Sequence, residues 1–124
     1  MYKIINKILL GLSFFVSLIV YILTMAPTVS FWDCGEFIAT SYILGIPHPP
    51  GAPFYLLLGN IFSSFPIFND IGAKVNFISP IASALSVMFL YLIIVYLIEE
   101  YRGKTKNNTD SIINYGSAFI ASLT

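Results

Sequence analysis

The chain has 124 residues, of which 57% are hydrophobic and only 10% charged, with six basic and six acidic residues that cancel. Soluble domains carry about 25% charged residues, so a water-soluble globule is excluded and a membrane protein expected. The balanced charge excludes the clustered basic face that nucleic acid needs, and a single cysteine excludes both a disulfide framework and a CxxC metal or redox motif.

Residues 1–7 form a short basic leader with Lys3 and Lys7. Residues 8–25 carry no charge, and only Ser13, Ser17 and Thr24 interrupt the apolar run. Eighteen residues lie near the lower end of the about 17–25 that a spanning helix requires. A cleaved signal peptide fits less well, because its apolar core is about 7–15 residues and Pro27 would sit just after the cut. An uncleaved anchor is expected.

Residues 26–76 form a mixed segment that holds Trp32, Cys34 and His48, the only residues of their types in the chain. Pro27 ends the first helix. Ser30, with Asp33 three residues on, resembles a capping box and predicts a helix over 31–44, closed by Gly45 and Pro47. On that helix Asp33, Glu36 and Thr40 share one face. The rest of its surface is apolar and aromatic, as for a helix lying in the membrane interface. The run Ile46-Pro47-His48-Pro49-Pro50-Gly51 cannot be helical, since three prolines fix φ. Helix restarts over 52–65, with Pro53 in its first turn and Pro66 as the stop. Fourteen residues are too few to span comfortably, so this helix reads as re-entrant or interfacial. Residues 66–76 read as a connector.

Residues 77–98 are again free of charge and predict a second span. Ser79, Ala82, Ser83, Ala84 and Ser86 give it a small-residue face for close packing. Residues 99–111 are polar, with Arg102, Lys104 and Lys106, and 112–124 begin a third apolar segment. Five of the six basic residues flank the outer ends of the two spans. The N-terminus and 99–111 are therefore expected in the cytoplasm and 26–76 on the opposite side. The sequon Asn107-Asn108-Thr109 then falls on the cytoplasmic side and reads as chance.

Chemistry is expected of Asp33 and Glu36. Two carboxylates beside a membrane can bind a cation or act as a general base. The plainer readings are a capping residue for Asp33 and a solvated charge for Glu36. His48 can donate to a phosphate or simply stack between prolines. Trp32, Tyr42 and Tyr55 suit an aromatic belt, with a sugar platform as the alternative. Cys34 reads as a small packing residue. No phosphate-cradling glycine loop, zinc spacing or nucleophile elbow is present.

The stretch APTVSFWDCGEFIATSYILGIPHPPGAPFYLLLGNIF resembles the N-terminal signature of a multi-pass membrane family similar to animal protein O-mannosyltransferases. The resemblance covers 26–98 and is carried by FWDCGEF followed by HPPGAP. It implies the GT-C class of glycosyltransferases: an all-α integral membrane fold of which this chain is an N-terminal fragment, with two spans, a third begun and one large outer loop. It implies transfer of a mannose-like sugar from a polyprenyl-phosphate donor to an acceptor hydroxyl on protein or glycan. By position, Asp33 and Glu36 would be the catalytic acids, and His48 and Trp32 would contact substrate. A divalent metal is left open, with Asp33 and Glu36 as its ligands if there is one. The bilayer is the expected surrounding, and a bacterial inner membrane the expected place. The rival readings are a transporter or channel segment with an acidic ion site, and a helical scaffold without a site. A transporter would place its acids near the midplane, whereas these follow the first span at once.

Overall fold

A computed structural model describes residues 2–103 and 107–124 as helices joined by short loops, with no strand among the described residues. In chain order these are α1 (Tyr2–Thr24), α2 (Cys34–Ile43), α3 (Pro53–Ser64), α4 (Ile71–Asn76), α5 (Ile78–Arg102) and α6 (Asn108–Leu123). They fall into two compact units, Met1–Tyr21 with Ala82–Thr124, and Ile22–Ile81.

Among the described residues, two stretches are long and apolar enough to cross a membrane, Lys3–Thr24 and Ile71–Arg102. Each is built on one of the charge-free apolar runs, 8–25 and 77–98. Most of their apolar side chains stay outside any core: Ile8, Phe15, Ile19 and Leu23 on α1, and Phe89, Ile93 and Tyr96 on α5, are all more than half exposed. Lipid is the solvent that tolerates such a surface.

In the first unit the core is Tyr91, Val95, Tyr115 and Ala118, with Leu9, Ile94 and Phe119 packed against it. Polar groups inside it are paired. Tyr91 donates its hydroxyl to Asn6 Oδ1 at 2.7 Å, and Tyr115 donates to Glu99 Oε1 at 2.8 Å. Of the expected small-residue face on α5, Ala84 is fully buried, whereas Ala82 and Ser86 are exposed. Helix α6 starts at Asn108, ahead of the apolar run that begins at 112. Its cap is Asn107, whose side-chain oxygen accepts from the Asp110 backbone N–H at 2.9 Å. The sequon asparagine is thus a helix cap. Lys104 and Lys106 lie outside the described residues.

The second unit carries α2, α3 and α4, which pack on one another. Its core is Ile38, Leu56, Ala73 and Val75. An aromatic chain of Phe62, Phe65, Phe68 and Phe77 extends it, with ring centroids 5.5–6.4 Å apart. Helix α3 matches the expected 52–65 closely, with Pro53 in its first turn. The expected connector 66–76 contains α4, which Asp70 caps by accepting from the Ala73 N–H at 2.8 Å. Phe77, which follows α4, keeps right-handed helical geometry, so the chain passes into α5 with little break. Asn76 Nδ2 donates to the carbonyls of Ala26 and Thr28 at 3.0 and 2.9 Å, tying the segment after α1 to the end of α4.

The largest departure from the sequence reading is at α2. The helix begins at Cys34, three residues later than expected, and residues 31–33 form a turn. Ser30 is not its cap. Asp33 stands at the N-cap position but makes no side-chain capping bond. A capping box uses Glu or Gln at its fourth position to reach back; the aspartate here is one methylene short. Trp32 adopts φ 59°, the left-handed region, which breaks any helix through it. At the other end Leu44, not Gly45, is left-handed, and the Gly45 N–H closes the helix on the Thr40 carbonyl at 2.8 Å.

Candidate functional site

The reversal at Leu44 turns the chain back along α2. The proline-rich run that follows is non-helical, as expected, and its turn is closed by the Gly51 N–H on the His48 carbonyl at 3.0 Å. Gly51 sits at φ 74°, where a side chain would be strained. This path returns His48 to the first turn of α2, twelve residues after Glu36 in sequence.

Glu36 grips His48 at two points. Its Oε1 accepts the His48 backbone N–H, and its Oε2 meets Nδ1 of the ring, each at 2.7 Å. The other ring nitrogen, Nε2, lies 3.9 Å from Asp33 Oδ2. The imidazole thus sits between two carboxylates. Each of the three residues offers a ligand atom, and these atoms lie within 4.8 Å of one another. Such a group could hold a cation. All three side chains are open to solvent, with His48 49%, Asp33 61% and Glu36 38% exposed.

The electrostatics follow from the contacts. The hydrogen bond from the His48 ring holds the Glu36 carboxyl below its ordinary value, and the backbone N–H of His48 adds to this. The same ring bond, with the Glu36 charge behind it, raises His48 above its ordinary value, and the Asp33 charge adds a little.

Aromatic groups form a wall beside the cluster. Phe37 meets the His48 ring edge-on at 6.1 Å and Tyr55 of α3 at 5.9 Å. Cys34, Phe37 and Tyr55 line an apolar hollow of about 270 Å³. Cys34 contacts Asn76 Oδ1 at 3.8 Å, in keeping with a packing residue. Trp32 is 96% exposed, next in sequence to Asp33.

The structure therefore brings together Asp33, Glu36 and His48 and leaves Trp32, next to Asp33 in sequence, exposed. The expected polar stripe is only partly present. Thr40 turns its hydroxyl to the Glu36 backbone carbonyl at 2.7 Å, and so serves its own helix. The sequence reading missed the Glu36–His48 pairing and the asparagines that support the site. Asn60 Nδ2 donates to the carbonyls of Ser41 and Tyr42, both at 3.0 Å, and satisfies the end of α2. A polar amide inside the otherwise apolar stretch PFYLLLGNIF was the available signal.

Comparison with known proteins bears on the same stretch. The family model described as protein O-mannosyl-transferase TMEM260 N-terminal domain matches residues 33–124. The chain is 38% identical over 81 residues to a Dictyostelium discoideum protein named protein O-mannosyl-transferase tmem260, covering 64% of this chain and 10% of that protein. It is 27% identical over 84 residues to the Mus musculus protein O-mannosyl-transferase TMEM260, covering 68% of this chain and 12% of that one. The chain thus spans about a tenth of the length of these relatives. Both are eukaryotic and lend no support to a bacterial membrane. No solved structure matches. The family match begins at Asp33 and covers Glu36, His48 and all the described helices that follow: the chain belongs to the TMEM260 N-terminal domain family of protein O-mannosyl-transferases.

Proposed function

We propose that this chain is the N-terminal part of a membrane glycosyltransferase that moves a mannose-like sugar from a polyprenyl-phosphate donor to a hydroxyl on a protein acceptor. The observation that carries the reading is the coincidence of the family match with a solvent-open Asp33–Glu36–His48 cluster a few residues beyond α1.

A lipid phosphate is a good leaving group, so the protein's main task is to place the hydroxyl and take up its proton. Asp33 is the carboxylate for that task. Glu36 is committed to His48 through both oxygens, whereas Asp33 has no such clamp. His48 presents Nε2 on the donor side, and Trp32 offers an aromatic face to the sugar ring. The hollow of Cys34, Phe37 and Tyr55 is apolar enough to receive part of the lipid. The rival transporter reading is weaker, because neither acid lies on either long apolar stretch.

The direct test is transfer from a polyprenyl-phosphate mannose to a hydroxyl-bearing peptide, by membranes containing the full-length protein. Transfer no higher than in membranes lacking the protein would overturn the reading.

The reaction requires the cluster on the extracytoplasmic side, with Lys3 and Lys7 inside, as the distribution of basic residues favours. A cysteine at position 69, an exposed loop residue, should therefore react with a membrane-impermeant thiol reagent in intact cells or sealed vesicles of native orientation. One at position 104 should not, both being tested in a Cys34→Ser background. Asp70 is unsuitable as a probe because it caps α4. Labelling of 104 but not 69 would invert the topology.

A further inference from the structure

We propose that His48 and Asp33 are the protein ligands of one divalent transition-metal ion, and that Glu36 is the positioning residue that holds the imidazole for it. The role of the ion in sugar transfer rests on the function proposed above; its binding does not.

The geometry has three parts. First, Glu36 bonds both the backbone N–H of His48 and ring Nδ1, each at 2.7 Å. An ionised carboxylate only accepts, so Nδ1 carries the proton and the lone pair of the neutral ring is on Nε2. A carboxylate behind a histidine in this way is the usual partner of a metal-bound imidazole. Second, Nε2 faces Asp33 Oδ2 across 3.9 Å, too far for a hydrogen bond. Two atoms each about 2.1 Å from one ion are about 3.0–3.4 Å apart as neighbouring ligands and about 4.2 Å apart when opposite, so a rotation of the exposed Asp33 side chain that closes the gap by about half an ångström brings the pair into ligand range. Third, two carboxylates outweigh one imidazole whether or not the ring is protonated, so the cluster carries net negative charge and selects a cation over an anion; the ion takes the place of any proton on Nε2.

One nitrogen and carboxylate oxygens suit Mn²⁺ or Zn²⁺ better than Ca²⁺ or Mg²⁺, which prefer oxygen alone. The exposure of His48 and Asp33 leaves the other coordination positions to water or to the oxygens of a lipid phosphate. There the ion would polarise the phosphate and neutralise charge as the sugar leaves. Asp33 keeps a second oxygen for the acceptor hydroxyl.

The test uses full-length protein stripped of metal in detergent and titrated with Mn²⁺. Electron spin-echo envelope modulation reads whether a histidine nitrogen is bound. Wild type should show ¹⁴N modulation that is absent from His48→Ala. Asp33→Asn should weaken Mn²⁺ binding at least about tenfold, as for loss of a direct ligand, and Glu36→Gln about 10–100-fold. Glu36→Gln should still show ¹⁴N modulation at saturating Mn²⁺. Wild type with no ¹⁴N modulation at millimolar Mn²⁺, or the same modulation in His48→Ala, would reduce the cluster to a histidine–glutamate ion pair. Sugar transfer is measured on the same preparations. Nitrogen-ligated Mn²⁺ without transfer would refute the transferase and keep the metal site; transfer without nitrogen-ligated metal would do the reverse.

Discussion

Replacing Asp33 by Asn in the full-length protein is expected to lower sugar transfer by about 10²–10⁴-fold, the usual cost of losing a general base, while its level in the membrane stays near that of wild type. Asn keeps the size and shape of the side chain and removes its charge. A capping role would complicate the experiment, since losing a cap costs about 1 kcal/mol. Asp33 makes no side-chain capping bond, so α2 has none to lose. The side chain is exposed and its nearest ionic partner is His48 Nε2 at 3.9 Å, so its removal leaves no buried charge unpaired. The assay follows transfer from a lipid-linked donor in membranes, normalised to protein level. Wild-type turnover by Asp33→Asn would remove Asp33 from the reaction.

The sequence disclosed the long elements and the acids but not how they meet. Helices α1 and α5 follow from runs of apolar residues with no charge, and α3 from Pro53 and Pro66 at its ends. Six-residue α4 has too few turns to show a period, and the proline and asparagine before it dominate the local composition. The start of α2 was misread because Ser30 and Asp33 imitate a capping box whose fourth position is too short. Asp33 and Glu36 stood out as carboxylates in an apolar setting. Their link to His48 did not, because it depends on the left-handed turn at Leu44, a residue that carries no such signal. A loop length and a φ angle, rather than a motif, decide that Glu36 faces the imidazole and Asp33 its far side. The asparagines Asn60 and Asn76 show the same limit. Each satisfies carbonyls remote in sequence, which only the folded unit reveals.

The second large effect is expected at Gly59, far from the acids in sequence but packed against their helix. Gly59 and Ser41 are both buried where α3 crosses α2. A Cβ added at Gly59 would lie 2.6 Å from Ser41 Cβ and would collide with Ser41 Oγ. No rotamer relieves a Cβ–Cβ clash, so the two helices must move apart. Overpacking of this kind costs about 1–3 kcal/mol. Gly59→Ala would normally favour the helix by about 1 kcal/mol, so a net loss of stability would report the crossing and not helix propensity. Ser41 has a buried hydroxyl with no hydrogen-bond partner among the described residues. That hydroxyl has no hydrogen bond to lose, so space rather than bonding sets this contact. Ser41→Gly combined with Gly59→Ala should therefore recover most of the lost stability, less the about 0.5–1 kcal/mol that glycine costs inside α2. Because α2 also carries Glu36, parting the helices shifts the clamp on His48, and transfer by Gly59→Ala should fall along with stability. Thermal unfolding of the full-length protein in detergent, beside the transfer assay, measures both. Wild-type stability in Gly59→Ala, or no recovery in the double variant, would mean that the close crossing of α2 and α3 does not hold the site.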